Sequence, residues 1–362
     1  MKDRRPSLSG KREATIKDVA REAGVSAMTV SRVINGKTNV KPATAEKIER
    51  AIRKVNYRPN VGARLLSGKR TYQFLMLYNN PNVGWMGELL IGMMNTCRRI
   101  GYHLAIEGVG DFEGQIEEPD MHPEEIAQLI DASRIDGIIL PPPICFDRKV
   151  LDVISEQGIP CVRIAGTPQG HIKLRVSIDN YAAGFEITNH LISLGHENIA
   201  IIKGPELFVA SALRYEGFAQ AMREHGLTIQ GSNVTTGEFD VQSGYQCARK
   251  LLRQKTRPSA IFASNDEMAA GALSAAQELK ISVPERLSVA GFDDAPIALS
   301  VWPKLTTVRQ PLRAMGEKAV ELLERYVRKM DDEPLETMQA AVLLDYELKI
   351  RQSTGPCPYD NQ

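Results

Sequence analysis

Apolar residues recur at helical spacing near the N-terminus and in short extended runs beyond residue 72. Ile16, Val19, Ala20 and Ala23 fall at i, i+3, i+4 and i+7, the stripe of an amphipathic helix. Thr15 is placed as its N-cap. Gly24 breaks the helix and Val25 supplies an apolar plug. Ser26 can cap a second helix running to about Asn35, with Val30, Val33 and Ile34 turned inward and Gly36 as its stop. Two short helices joined by a tight glycine turn make a helix-turn-helix. Pro42 suits the first turn of a third helix, whose buried stripe is Ile48, Ile52 and Val55.

Residues 60–71, NVGARLLSGKRT, follow Pro59. With Gly68 closing it, a helix here has only about six or seven residues, too short to stand alone in water. Gly62 costs roughly another 1 kcal/mol. On its own residues the segment reads as a flexible linker.

From residue 72 the period changes. The runs FLMLY (74–78), YHLAIE (102–107), GIIL (137–140), PCVRI (160–164), IAIIK (199–203), AIFA (260–263) and LSVAGF (287–292) alternate with helical stretches such as 87–100, 122–132, 181–194, 211–225 and 266–280. Repeated βαβ units predict parallel sheets with helices on both faces. About 280 residues are long for one open sheet, so two lobes are expected. The chain should cross between them near 177, 310 and 335. The predicted organisation is a basic tail (1–14), a small all-α helix-turn-helix headpiece (15–59), a hinge (60–71), a two-lobed α/β core (72–353) and a tail (354–362).

Charge sharpens this picture. The 362 residues hold 45 Lys and Arg against 44 Asp and Glu. Residues 1–70 carry 18 basic and 6 acidic side chains, and the remainder 27 and 38. A basic head on an acidic body is the electrostatic footprint of nucleic-acid binding. Hydrophobic content of 43% and charged content of 25% exclude a disordered or collagen-like chain. No run of about 18 uncharged apolar residues marks a transmembrane helix. The opening MKDRRPSLSGKRE lacks an apolar signal region. Five scattered cysteines read as reduced thiols. A cytoplasmic location is the expectation.

If Val30, Val33 and Ile34 are buried, Ala27, Met28, Thr29, Ser31 and Arg32 project outward. The start of such a helix reaches base edges in the major groove. Arg32 can pair bidentately with guanine, and Ala27 and Met28 offer apolar contact to bases. Thr15, Ser26, Thr29, Ser31, Asn35, Thr44 and Tyr57 are donors suited to phosphates. The alternatives are a surface ion pair for Arg32 and a packing role for Met28.

In the body, polar residues at strand ends are candidates for a ligand cleft, because ligands of such sheets sit outside the strands' carboxyl ends. They are Arg214 in SALRYEGF, Asn265 in FASNDEMA and Asp293 in VAGFDDA. Phe239 can stack on the apolar face of a sugar ring. Tyr78, Asn79 and Asn80 close the first strand and can touch a ligand from the other side of the cleft. The alternatives are that Asp293 and Asp294 merely end a strand, that Asn265 or Asp266 caps a helix, and that Phe239 is core. No nucleophile motif, phosphate loop or zinc-protease motif is present, so no enzyme and no cofactor are expected. His190 and His196 share one region, but LGHENI reads as a turn after a helix and no metal is expected.

The string TIKDVAREAGVSAMTVSRVINGKTNVKPATAEKIERAIRKVNYRPN resembles, without a gap, the headpiece of the lactose-repressor (LacI/GalR) family of bacterial transcription regulators. The body resembles that family's periplasmic-binding-protein-like core from IDN (178–180) to about Tyr326. The resemblance implies a hinge helix in the minor groove, with Leu66 as the wedge between base pairs and Asn60 and Ala63 approaching the groove. It assigns Arg214, Phe239, Asn265 and Asp293 to effector contact, and Gln310 and Leu312 to the lining of the same cleft. One departure stands out: Ala165 occupies a place where sugar-binding members often carry Asp. The implied function is a repressor of a carbohydrate-utilisation operon, a homodimer on a palindromic DNA operator that a small sugar effector releases. Alternatives are a corepressor-dependent or purine-responsive regulator, or a solute-binding protein of the same core. No long C-terminal Leu-heptad extension is found, which favours a dimer over a tetramer.

Overall fold

The computed structural model describes residues 14–34, 40–55, 57, 70–79, 82–109, 123–165, 172, 174–329 and 340–358. The chain divides into two compact units, Met1–Tyr72 and Gln73–Gln362.

Among the described residues the first unit holds three helices, α1 (Ile16–Ala23), α2 (Ala27–Ile34) and α3 (Pro42–Val55). Asp18 closes the start of α1 by accepting from both the amide (2.8 Å) and the hydroxyl (2.7 Å) of Thr15. Gly24 ends α1 in the left-handed region at φ 62°, where a Cβ would be strained. Ser26 Oγ accepts from the amide of Thr29 at 3.1 Å and so caps α2. Val19, Ala20, Ala23, Val30, Ile48 and Ala51 are the core, flanked by Ile16, Val33, Ile52, Val55 and others. Ala27 departs from the outward expectation: it is half-buried and packs against this core, because the first turn of α2 leans on α1. The side chain of Ile34 and residue Asn35 lie outside the described residues, as do Asn60, Ala63 and Leu66 of the hinge.

The second unit is built on two six-stranded sheets. The first contains β1 (Gln73–Tyr78), β2 (His103–Gly108), β3 (Gly137–Leu140), β4 (Cys161–Ile164), β5 (Arg175–Ile178) and β11 (Ala341–Leu344), in the order β11-β5-β4-β3-β1-β2. All its pairings are parallel. The second contains β6 (Ile199–Lys203), β7 (Val234–Thr236), β8 (Ala260–Ala263), β9 (Ser288–Asp293), β10 (Thr306–Arg309) and β12 (Glu347–Lys349), in the order β12-β10-β9-β8-β6-β7. Only β12 runs antiparallel to its neighbour. The central strands β3, β4 and β8 are buried along their whole length, which is why they read as continuous apolar runs and not as alternations.

Among the described residues the chain passes between sheets three times: after Ile178, between Arg309 and Leu312, and between Leu344 and Glu347. The third passage lies about ten residues beyond the expected position near 335. The cause is β11, which still pairs with β5 of the first sheet, Ala341 opposite Arg175.

Candidate functional site

A cleft of about 490 Å³, partly open to solvent, is lined from both sheets. Asn82, Trp85, Pro142 and Ala165 come from segments following β1, β3 and β4. Phe208, Arg214, Phe239, Asn265, Asp293 and Gln310 follow or end β6, β7, β8, β9 and β10. In each sheet the order reverses, at β1/β3 and at β6/β8. The cleft therefore opens at the carboxyl ends of the strands, beside two topological switch points.

Arg214 is its buried cation, 5% exposed. Its Nε donates to Asn180 Oδ1 at 2.9 Å, and Nη1 donates to the carbonyl of Ser264. The guanidinium lies 3.6 Å from the centroid of the Phe292 ring, a cation–π arrangement that suits a desolvated charge. Asp293 Oδ1 is 3.9 Å from Nη2, so the two charges attract without closing into a tight pair. Gln310 Nε2 supplies the short bond to that carboxylate, 2.6 Å. Burial pushes the Asp293 carboxyl up to about 7, against the opposing pull of Arg214 and Gln310. Burial also draws Arg214 down to about 10.

Asn265 is held at three points. Its Oδ1 accepts from the amide of Met268 (3.0 Å), capping the helix Asp266–Glu278, and its Nδ2 donates to the Phe239 carbonyl (2.9 Å) and to Glu267 Oε2 (2.8 Å). The capping alternative for Asn265 thus describes a real contact, and it also fixes the side chain in the cleft wall. Phe208 and Phe239 meet edge to face with centroids 5.0 Å apart. Ala165, Phe239 and Asp293 carry positive φ angles of 57°, 60° and 112°. Such backbone costs of order 1–3 kcal/mol per residue, and its concentration in the walls of one cleft marks a place where geometry outweighs stability.

Of the residues expected in the cleft, Arg214, Phe239, Asn265, Asp293 and Gln310 are brought together. Tyr78, Asn79 and Leu312 are not part of its lining. Asn79 and Leu312 are buried. Asn80 lies outside the described residues. The first sheet instead contributes Asn82 and Trp85 from the first turn of the helix Val83–Ile100. Asn82 Oδ1 accepts from the amide of Trp85 at 3.0 Å. An Asn just ahead of an apolar helix is a legible cap signal; the inward aim of the indole three residues later is not.

His196 is fully buried, Nδ1 against Ser259 Oγ (2.9 Å) and Nε2 against Ser288 Oγ (2.9 Å) and the Gly355 carbonyl (3.0 Å). His190 meets Thr354 Oγ1 at 3.0 Å. His196 ties the C-terminal segment to the second sheet, and His190 ties it to the helix Asn180–Ser193. No group of three or more His, Cys, Asp or Glu able to hold a metal ion is found among the described residues.

In the first unit, α2 exposes Arg32 and Met28, the latter 66%. Thr29 and Ser31 are half-exposed, and Thr29 Oγ1 lies 2.8 Å from Ser26 Oγ. Thr15 and Tyr57 are partly engaged, Thr15 with Asp18 and Tyr57 in packing against the helical core. Thr44, in the first turn of α3, is half-buried. No helix among the described residues is long and apolar enough to cross a membrane.

Comparison with known proteins bears on both units. Residues 15–60 match the family model described as bacterial regulatory proteins, lacI family. Residues 188–354 match a periplasmic binding protein-like domain. The chain is 36% identical over 344 residues to the HTH-type transcriptional repressor PurR of Haemophilus influenzae, covering 94% of this chain and 98% of that protein. A solved complex of the transcriptional regulator CelR with cellobiose superposes with a TM-score of 0.69 at 28% identity, over 94% of this chain and all of that one. The lac repressor dimer bound to operator and an anti-inducer gives 0.70 at 26%, over 95% and 100%.

Proposed function

The chain belongs to the lacI family of bacterial regulatory proteins, and from that premise we propose that it is a repressor released from its operator by a small sugar. As a family member it is a DNA-binding transcriptional regulator with an effector-binding core. The observation that carries the sugar reading is the cleft. Arg214, Asn265, Asp293 and Gln310 offer donors and acceptors at one wall, with the Phe239, Phe208 and Trp85 rings beside them. Polar groups at fixed angles plus aromatic faces match a ring with hydroxyls at its rim and C–H groups on its face. The similar regulator solved with cellobiose supports the same class.

In this reading a homodimer presents two copies of α2 to successive major grooves of a palindromic operator. Arg32 reads a base edge, with Met28 against neighbouring bases, while Ala27 packs against the helical core. Thr15, Ser26, Thr29, Ser31, Asn35, Thr44 and Tyr57 face phosphates, and Asn60, Ala63 and Leu66 enter the minor groove. The sugar acts by binding the free and operator-bound forms with different affinity, since equal affinity shifts nothing.

The test is selection of genomic fragments by the purified protein, then operator binding with a sugar panel at fixed salt. One palindromic site weakened by one sugar is the expected result. A site strengthened by a ligand, a purine included, would replace release with corepression. Asp293→Ala should remove the sugar response and leave operator binding intact.

A further inference from the structure

The two helices that border the cleft mouth begin face to face. Helix Val83–Ile100, from the first lobe, starts at Asn82, and helix Asp266–Glu278, from the second, starts at Asn265. A Cβ placed on Gly84 would lie 3.4 Å from Glu267 Oε1 and 3.7 Å from Pro296 Cδ, so the first turns of the two helices are in contact across the lobes. Glu267 fills the gap. Its carboxylate accepts from Asn265 Nδ2 at 2.8 Å and from the side chain of Asn82. Burial pushes its carboxyl up and the bond from Asn82 opposes this. Its charge is also felt by Asp293, whose carboxyl it raises.

The hydrogen-bond capacity of Asn265 makes this arrangement sensitive to the cleft. A primary amide has two N–H donors, and Asn265 spends both, on the Phe239 carbonyl and on Glu267. Its Oδ1 is already engaged by Met268. A ligand oxygen that seeks an N–H from Asn265 must displace one of these partners. Displacing Glu267 takes away the second-lobe end of the polar bridge between the two helix starts and leaves the bond to Asn82.

We propose that Glu267 is an inter-lobe strut, a positioning residue that links Asn82 of one lobe to Asn265 of the other and so ties the spacing of the lobes to occupancy of the cleft. The strut stands on the contacts themselves; its link to a ligand rests on reading the cleft as the effector site. It assigns to Glu267 a role that neither base reading nor sugar recognition requires.

The test exchanges donor and acceptor. Glu267→Gln keeps the volume but turns one acceptor into a donor that faces a donor. Asn82→Asp keeps the helix cap, since Asp caps as well as Asn, but sets a second carboxylate against Glu267. The double variant Asn82→Asp/Glu267→Gln restores a donor facing an acceptor. Spin labels at Asp152→Cys and Arg223→Cys, exposed on helices of opposite lobes, report lobe spacing in the full-length protein with Cys247→Ser and Cys357→Ser. Without any ligand, each single variant should add a second, longer distance and the double variant should return the wild-type distribution. Thermal melting of each variant separates loss of the strut from loss of the fold. Folded single variants with wild-type distances, or a double variant no closer to wild type than the singles, would overturn the strut. Cellobiose is then added as the probe: folded singles should lose at least half of any change in distance that it causes in the wild type. A wild type whose operator binding ignores every sugar overturns the effector reading and leaves the ligand-free distances to decide the strut.

Discussion

Asp293 shows how much the cleft asks of one side chain. It is 4% exposed, sits at φ 112° at the end of β9, and has its carboxyl raised to about 7 by burial. An unfolded Asp titrates near 3.9. The folded protein therefore holds that proton more tightly than the unfolded chain. Stability from this group is full below about pH 4 and falls as pH rises to about 7. Asp293→Asn should melt above the wild type at pH 8, with the gap closing toward pH 4, in calorimetric scans. An equal gap at both pH values would show that the carboxylate is not strained by its burial. Arg32 is the contrasting case, exposed and unconstrained by the core. Arg32→Ala should cost roughly 1–3 kcal/mol of discrimination at one operator base pair, read by competition with single-base operator variants, and leave the melting temperature unchanged. The polar cleft residues were legible because Arg214, Asn265 and Asp293 stand in short motifs at the ends of apolar runs. Trp85 and Phe208 were not, because an aromatic in an apolar stretch reads the same whether it faces a core or a cavity.

Helix contacts set where those side chains end up. Among the described residues, three helix pairs cross with a glycine on each partner. Gly184 and Gly217 join Asn180–Ser193 to Val209–Glu224, Gly244 and Gly271 join Val241–Leu252 to Asp266–Glu278, and Gly92 and Gly316 join Val83–Ile100 to Leu312–Lys329. A Cβ on Gly184 would lie 2.4 Å from the backbone oxygen of Arg214, and one on Gly217 would lie 2.1 Å from that of Tyr181. A mid-helix glycine costs about 0.5–1 kcal/mol against Ala; here the close approach outweighs that cost. Gly184→Ala must push the Arg214 backbone away. It should lose about 1–3 kcal/mol in urea unfolding, the usual penalty of overpacking, and should blunt the ligand response through Arg214. At Gly87, in the helix Val83–Ile100, a Cβ would meet nothing within 4 Å. Gly87→Ala should gain about 0.5–1 kcal/mol. Opposite signs for the two substitutions would confirm that contact, not helix propensity, decides. At this scale the strands that read as buried apolar runs, such as β3, β4 and β8, were legible, and the short polar or half-buried ones were not. β7 (VTT) and β12 (ELK) are three residues long and carry polar side chains. β11 (AVLL) has only four residues and no fully buried position, and the third lobe crossing moved with it.

At the scale of the whole chain, the basic head and acidic body assign different work to different segments. Residues 1–70 carry 18 Lys and Arg against 6 Asp and Glu, while the remainder carries 27 against 38. Attraction to DNA therefore resides in the head, and the body's excess of negative charge disfavours adhesion elsewhere on its surface. If two heads engage about 6–10 phosphates, the logarithm of operator affinity should fall linearly with the logarithm of salt, with a slope of roughly −0.9 per phosphate. Two ways of releasing DNA predict different slopes. A sugar that changes the spacing of the lobes, and through them of the two hinges, prevents both heads from docking together. One head then remains in contact, and the slope should drop to about half. A sugar that weakens each head's hold evenly lowers affinity at every salt concentration by the same factor and leaves the slope alone. Salt titrations of operator binding by fluorescence anisotropy, with and without the releasing sugar, separate the two. A halved slope is expected, because the cleft is lined from both lobes and a ligand there acts first on their separation.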